Sequence, residues 1–191
     1  MRVWMGMVLV LLVFSGCAYK NAPLTFSPYV PGASAMVIGK SVQKVYLKAV
    51  TDARQQRSII ASALNSAGQS TGYATSGTAL DLWVYEGLKR GLEARGYEVV
   101  HAPVKEAKTL TVNIDEFFAQ YNGALLSGEN LTGTMQLTLH VKVGETTHTK
   151  RVAQSQSRWH KPITASEDFK PFLQKLMNDV LARAIYEVHS L

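Results

Sequence analysis

Few side chains in this chain have the type and spacing that chemistry needs, and the first is a thiol. Cys17 is the only cysteine of 191 residues and closes the stretch LLVFSGC, after an uncharged apolar run from Val3 to Phe14. A thiol forms its nucleophilic thiolate readily, so a lone cysteine there suits covalent attachment. Farther on, Asp52 and Arg54 stand two apart at the end of an alternating apolar stretch. The pair is expected to fix its loop by local hydrogen bonds; left exposed, it would be a charged contact for a partner. Asp115 and Glu116 are neighbouring carboxylates, but successive strand residues point to opposite faces, so joint action requires a bulge. His140 and His148 flank a predicted hairpin turn. A three-residue turn would put both on one face, yet two imidazoles without a third ligand are a weak metal site. Trp159, beside His160 and Lys161, is expected to cover the edge of the core, with an exposed partner anchor as the other reading.

Enzyme signatures are missing. There is no Gly-x-Ser-x-Gly elbow, phosphate loop or dinucleotide fingerprint in the sequence. No catalytic residue, metal or cofactor is therefore expected, and the chain reads as a non-enzyme. The net charge of +6, or +5 once Arg2 is lost (19 Lys and Arg against 14 Asp and Glu), fits solubility alone and would also suit an anionic lipid surface or acidic partners. Basic residues are not clustered with aromatics, which argues against nucleic acid. With one thiol there is no disulfide, and stability must come from packing.

The N-terminus explains the thiol. Arg2 precedes the twelve-residue apolar run, which is too short to cross a bilayer as a helix, since that takes about 20 residues. Phe14-Ser15-Gly16-Cys17 resembles a bacterial lipobox, with Phe14 where that motif usually has Leu. The resemblance implies cleavage before Cys17 and acylation of its thiol and new amino group. Ala18 in place of Asp implies the outer membrane, with the inner membrane as the alternative. The expected organisation is a signal peptide over 1–16, an acylated N-terminus and flexible tether over 17–40, and one periplasm-facing domain over 41–191. Pro23, Pro28 and Pro31 mark the tether, whose Phe26 and Tyr29 could dock on the domain or sit near lipid.

Alternation of Val45, Leu47 and Ala49 predicts a first strand. The small and polar stretch from Thr51 to Gly77 reads mostly as a mobile loop. Ser76 or Thr78 can cap a helix whose apolar stripe is Leu80, Trp83, Val84, Leu88 and Leu92. Gly87 and Gly91 on that stripe suggest close packing against a sheet, and Gly96 suits its C-terminal cap. Gly96 to Val100 follows as a second strand. Three longer ones follow: Leu110 to Tyr121, with a phase shift at Asp115-Glu116 that predicts a bulge; Leu131 to Val143; and a polar edge strand leading to Trp159. Thr164 and Glu167 form a capping-box pattern before a terminal helix with Phe172, Leu176, Val180 and Ala184 on its apolar face.

The lipobox, the strand running into Asp52-x-Arg54, the helix ending in Leu92-x-x-Arg95-Gly96-Tyr97-x-Val99 and the order of later elements are similar to the YajG-like bacterial lipoproteins. That resemblance implies a small lipid-anchored domain with no established activity. The expected fold is α+β: a mostly antiparallel sheet of about five strands with two helices on one face. The expected function is a non-catalytic binding or assembly component of a cell-envelope complex, touching the bilayer through Cys17 and an envelope protein or a second copy elsewhere. The alternative is a lipid-handling accessory lipoprotein of an ABC-type transport system, which would need an apolar groove between helix and sheet.

Overall fold

The computed structural model describes residues 19–32, 43–124 and 128–191. The strands are β1 (Pro23–Leu24), β2 (Lys44–Asp52), β3 (Ile59–Leu64), β4 (Ser70–Ser76), β5 (Glu98–Val100), β6 (Lys108–Asn122), β7 (Leu131–Val143) and β8 (Thr146–Arg158). The helices are α1 (Leu80–Ala94) and α2 (Lys170–His189), the second entered through a 3-10 turn at Ser166–Phe169. All eight strands join one mixed sheet. This corrects the expected, mostly antiparallel sheet of about five strands. The pairs β1–β4, β2–β5, β2–β6 and β3–β6 are parallel, while β3–β4, β6–β7 and β7–β8 are antiparallel.

The long strand β6 organises the sheet. One edge pairs with β7 from Thr109 to Tyr121. Its other edge is shared by two strands in succession: β2 covers Lys108 to Ile114, and β3 covers Ala119 to Asn122. The chain therefore runs up β2, leaves the sheet over residues 53–58, and resumes the same direction as β3. The register of β6 against β7 shifts between Ile114 and Glu116, so the bulge falls where the apolar phase breaks.

The stretch expected as a mobile loop is the β3–β4 hairpin. Its inward residues Ala61, Ala63, Gly72 and Ala74 are small because another layer lies close upon them. The ring of Tyr19 covers Gly72 so closely that a Cβ would not fit. Small side chains weaken a hydrophobic alternation signal, which is why the sequence pattern reads as loop.

The expected tether also divides differently. Residues 19–32 form a strap laid across the domain, with Leu24, Phe26 and Tyr29 buried and Phe26 edge-on to Phe117 at 6.0 Å. Backbone groups between Lys20 and Ser27 are tied to the domain by hydrogen bonds. Lys20 N–H donates to the Thr164 carbonyl at 3.1 Å, Ala22 N–H to Ser166 Oγ at 2.8 Å, and Phe26 N–H to Thr78 Oγ1 at 3.1 Å. Gly77 N–H donates to the Leu24 carbonyl at 2.7 Å, and Trp83 Nε1–H to the Ser27 carbonyl at 2.8 Å. Thr78 thus holds the strap, and α1 begins at Leu80 without a side-chain cap. The remainder of the expected tether, residues 33–40, lies outside the described residues.

The helices pack on each other as well as on the sheet, α1 over β2 and α2 over β7 and β8. Gly87 and Gly91 meet Leu181 and Ile185 of α2, with Tyr29 of the strap beside them; a Cβ at either glycine would overlap those side chains. The close approach is helix to helix, not the expected helix to sheet. At the start of the terminal helix, Asp168 supplies the cap in place of Glu167. Its carboxylate accepts the N–H groups of Thr164 at 2.9 Å and Ala165 at 3.1 Å.

Candidate functional site

Asp52 and Arg54 come together as a clasp. Arg54 Nε and Nη2 donate to the two Asp52 carboxylate oxygens at 2.9 and 2.8 Å, and Arg54 N–H donates to the same carboxylate at 3.2 Å. The guanidinium also reaches the carbonyls of Phe117 at 3.3 Å and Arg57 at 3.1 Å. Burial works to raise the Asp52 carboxyl, but the hydrogen bonds and charge of Arg54, with Arg57 beyond, outweigh it and hold Asp52 below the ordinary carboxylate range. The site this builds is a strand junction. Phe117 lies on β6 in the gap between β2 and β3, where no strand is present to take its carbonyl. Arg54 is 5 % exposed, Asp52 is half-buried, and together they hold the chain at this junction.

Beside the clasp, the crossover and the β6 bulge frame an open groove of about 460 Å³ with Gln55, Glu116, Phe118 and Gln136 on its walls. Asp115 is tied down there, accepting from Thr138 Oγ1 at 2.6 Å and Gln136 Nε2 at 3.3 Å. The bulge leaves both Asp115 and Glu116 on the lining of this groove.

The family-like motif at the end of α1 is architectural too. Gly96, at φ +84°, closes the helix with Gly96 N–H on the Glu93 carbonyl and Tyr97 N–H on the Leu92 carbonyl. Tyr97 is thereby turned inward, where its hydroxyl meets His189 Nδ1 at 3.1 Å near the end of α2. The Arg95 guanidinium lies 5.8 Å from the centre of the Tyr186 ring.

The β7–β8 turn contains two residues, Gly144 and Glu145, with Gly144 at φ +60°. Val143 faces Thr146, so His140 faces Thr149 and His148 faces Val141. The two histidines are on opposite faces of the hairpin. His140 Nδ1 instead meets Thr149 Oγ1 at 3.0 Å.

The rim of β8 is an edge of the sheet, as are those of β1 and β5. Among the described residues the thirteen-residue β8 pairs only with β7. Its inward side is polar because the polar flank of α2 covers it. Gln156 Nε2 donates to Asp179 at 2.5 Å, Lys150 meets Glu187 at 3.8 Å, and Arg183 donates to the Ala153 carbonyl at 2.9 Å. From Thr146 to Lys161 the strand and its exit carry His148, Lys150, Arg151, Arg158, His160 and Lys161 and no acidic residue. Trp159 is 59 % exposed and does not cover the core. Cys17 lies outside the described residues. The sequence reading missed Ser166, fully buried and bonded to the backbone of Ala22 on the strap. The spacing of Leu24 and Phe26 was the signal that a strand docks there.

A family model described as an uncharacterized lipoprotein matches residues 33–189. No curated protein matches the chain. Among solved structures, one described as an uncharacterized protein superposes with a TM-score of 0.57 at 12% identity, covering 90% of this chain and 99% of that one. Protein XCC0632 from Xanthomonas campestris, of family DUF330, gives a TM-score of 0.59 at 11% identity, covering 90% and 95%. At such identities the likeness is one of fold. No helix among the described residues is long and apolar enough to cross a membrane.

Proposed function

The chain belongs to the YajG-like family of uncharacterized lipoproteins, and from that premise we propose that it is a non-catalytic, lipid-anchored assembly module of the bacterial envelope. In this reading residues 1–16 are the leader, Cys17 carries the acyl chains, and the domain faces the periplasm from the outer membrane. Two or more chains on one residue make such anchoring effectively permanent.

The observation that carries the assembly role is the free edge of β8. An unpaired strand edge presents a row of N–H and C=O groups that another extended chain can match, with side-chain pockets or charges setting the choice of partner. The cations along β8 repel a second β8 and favour an acidic strand, so a different envelope protein is preferred over self-association.

The test is a photo-crosslinker at Thr149 in the acylated protein, activated in its native membrane. The expected product is a single envelope protein joined through an acidic extended segment, lost in Arg151→Glu. That exposed substitution should change stability by no more than about 0.5 kcal/mol. Crosslinks to many unrelated proteins, or a product unchanged by Arg151→Glu, would reject the reading.

A further inference from the structure

We infer that one end of the domain is a membrane-docking face, formed by Tyr19 and Lys20, the β3–β4 turn and the exit of β8 at Trp159 to Lys161. The inference rests on Cys17 being the acylated residue, and it adds an orientation to that anchor.

The geometry of attachment is the first argument. Lys20 is fixed between Thr164 and Ser166, its N–H on one carbonyl and its own carbonyl taken by the Ser166 N–H, both at 3.1 Å. Tyr19 lies over Gly72 and shares a groove with Asn65, Tyr121 and Ile163. Cys17 precedes Tyr19 by two residues in sequence, and a chain spans at most about 3.6 Å per residue, so the leash between anchor and strap is short. Acyl chains on Cys17 would bring this end of the domain to the headgroups. A lipoprotein with a long tether could turn freely; this strap removes that freedom.

The composition of the same end is the second argument. The C-terminal ends of β3, β6 and β8 and the N-terminal ends of β4 and β7 meet here, joined by Asn130. Its side chain accepts the His160 N–H at 2.7 Å and donates to the His160 carbonyl at 2.8 Å, while its own carbonyl accepts the Asn122 N–H at 2.7 Å. Trp159 and Tyr73 are exposed by 59 % and 46 %, and Lys20 and Lys161 are exposed beside them. Amphipathic rings settle at the headgroup level, and lysines are drawn to an anionic leaflet. The neighbouring acids are engaged elsewhere: Asp168 caps the 3-10 turn, Glu129 accepts from the Ser157 hydroxyl, and Glu167 lies 4.0 Å from Lys170. The occupant that fits is a bilayer surface containing anionic lipid.

The protein carries its own probe. Trp4 falls in the leader, so the processed chain has two tryptophans, Trp83, buried, and Trp159, exposed. The full acylated protein is placed in vesicles of phosphatidylethanolamine and phosphatidylglycerol containing lipids brominated high on the acyl chain. The bromolipid should remove the Trp159 part of the emission, and Trp159→Phe should show no such loss. Reversing Lys20 and Lys161 to Glu should restore part of the lost emission. If bromolipid leaves Trp159 bright and aqueous iodide quenches it as fully as in soluble Cys17→Ala protein, this end faces water. The docking face is then rejected and the anchor stands. If mass spectrometry shows no diacylglyceryl group on Cys17, anchor and orientation fall together.

Discussion

Arg54 donates a hydrogen bond to the carbonyl of Phe117 from inside the gap where β2 has left the edge of β6 and β3 has not yet joined it. A parallel edge shared by two strands leaves unpaired carbonyls at the junction, and a buried carbonyl without a donor is costly. A guanidinium can fill such a gap because its five N–H groups fan out in one plane. Here they serve Asp52, Arg57 and Phe117 together.

Arg54→Ala should therefore destabilise the domain by about 3 kcal/mol, by stranding the Asp52 carboxylate and the Phe117 carbonyl. Arg54→Lys should recover only part of this, since an ammonium cannot grip both oxygens of Asp52 and reach Phe117. Urea midpoints of the three proteins measure it; a fully stable Lys variant would contradict the planar-fork argument.

Stability should fall in acid, and two carboxylates should set where. For Asp168, burial pushes the carboxyl up, but the Thr164 and Ala165 N–H groups and the charge of His160 outweigh it; Asp52 is held low by Arg54 in the same net direction. A depressed value stabilises the fold above the ordinary carboxylate range, and this is lost as pH falls from about 4 through the lower folded values. Asp52→Asn and Asp168→Asn should each be less stable than the parent at neutral pH, with the difference closing below pH ~4. Thermal melts across that range would show it.

The helix pair gives a third expectation. Ala is a better helix former than Gly by up to about 1 kcal/mol, yet Gly91→Ala should destabilise by about 1–2 kcal/mol because its methyl would press on Ile185. Ile185→Val removes the nearest carbon and should restore part of the loss in the double variant. A double-mutant cycle with no coupling would show that the helices simply move apart.

The strap should behave as core. Phe26→Ala should cost about 3 kcal/mol, and the backbone amides of Ala22 and Phe26 should exchange with solvent as slowly as those of β6. Limited proteolysis that cuts between Lys20 and Tyr29 in the native protein would mean that the segment is a tether after all.

Several features are legible in the sequence alone. The periodic stripes of β6, β7, α1 and α2 are long and strongly apolar, and the phase break at Asp115-Glu116 marks the bulge because period two admits no other interruption without flipping the strand. Gly96 is readable because a left-handed cap residue has few alternatives. The β3–β4 hairpin was hidden for the opposite reason. Ala61, Ala63 and Ala74 are inside by virtue of close neighbours, and a small residue signals burial only when the neighbour is known.

The chain's own order determined the thiol at position 17, the lack of any disulfide and the apolar faces that must be buried. The tertiary structure decided what those faces meet. It turned α1's glycines toward α2, made one edge of β6 serve two strands, and laid residues 19–32 across the core. It also left Trp159 in the open and put the two hairpin histidines on opposite faces, through a turn of two residues. Local pattern records which side chains avoid water; it does not record which of several apolar or small partners they choose. That choice depends on contacts between residues far apart in the chain, such as Ala22 with Ser166 and Arg54 with Phe117.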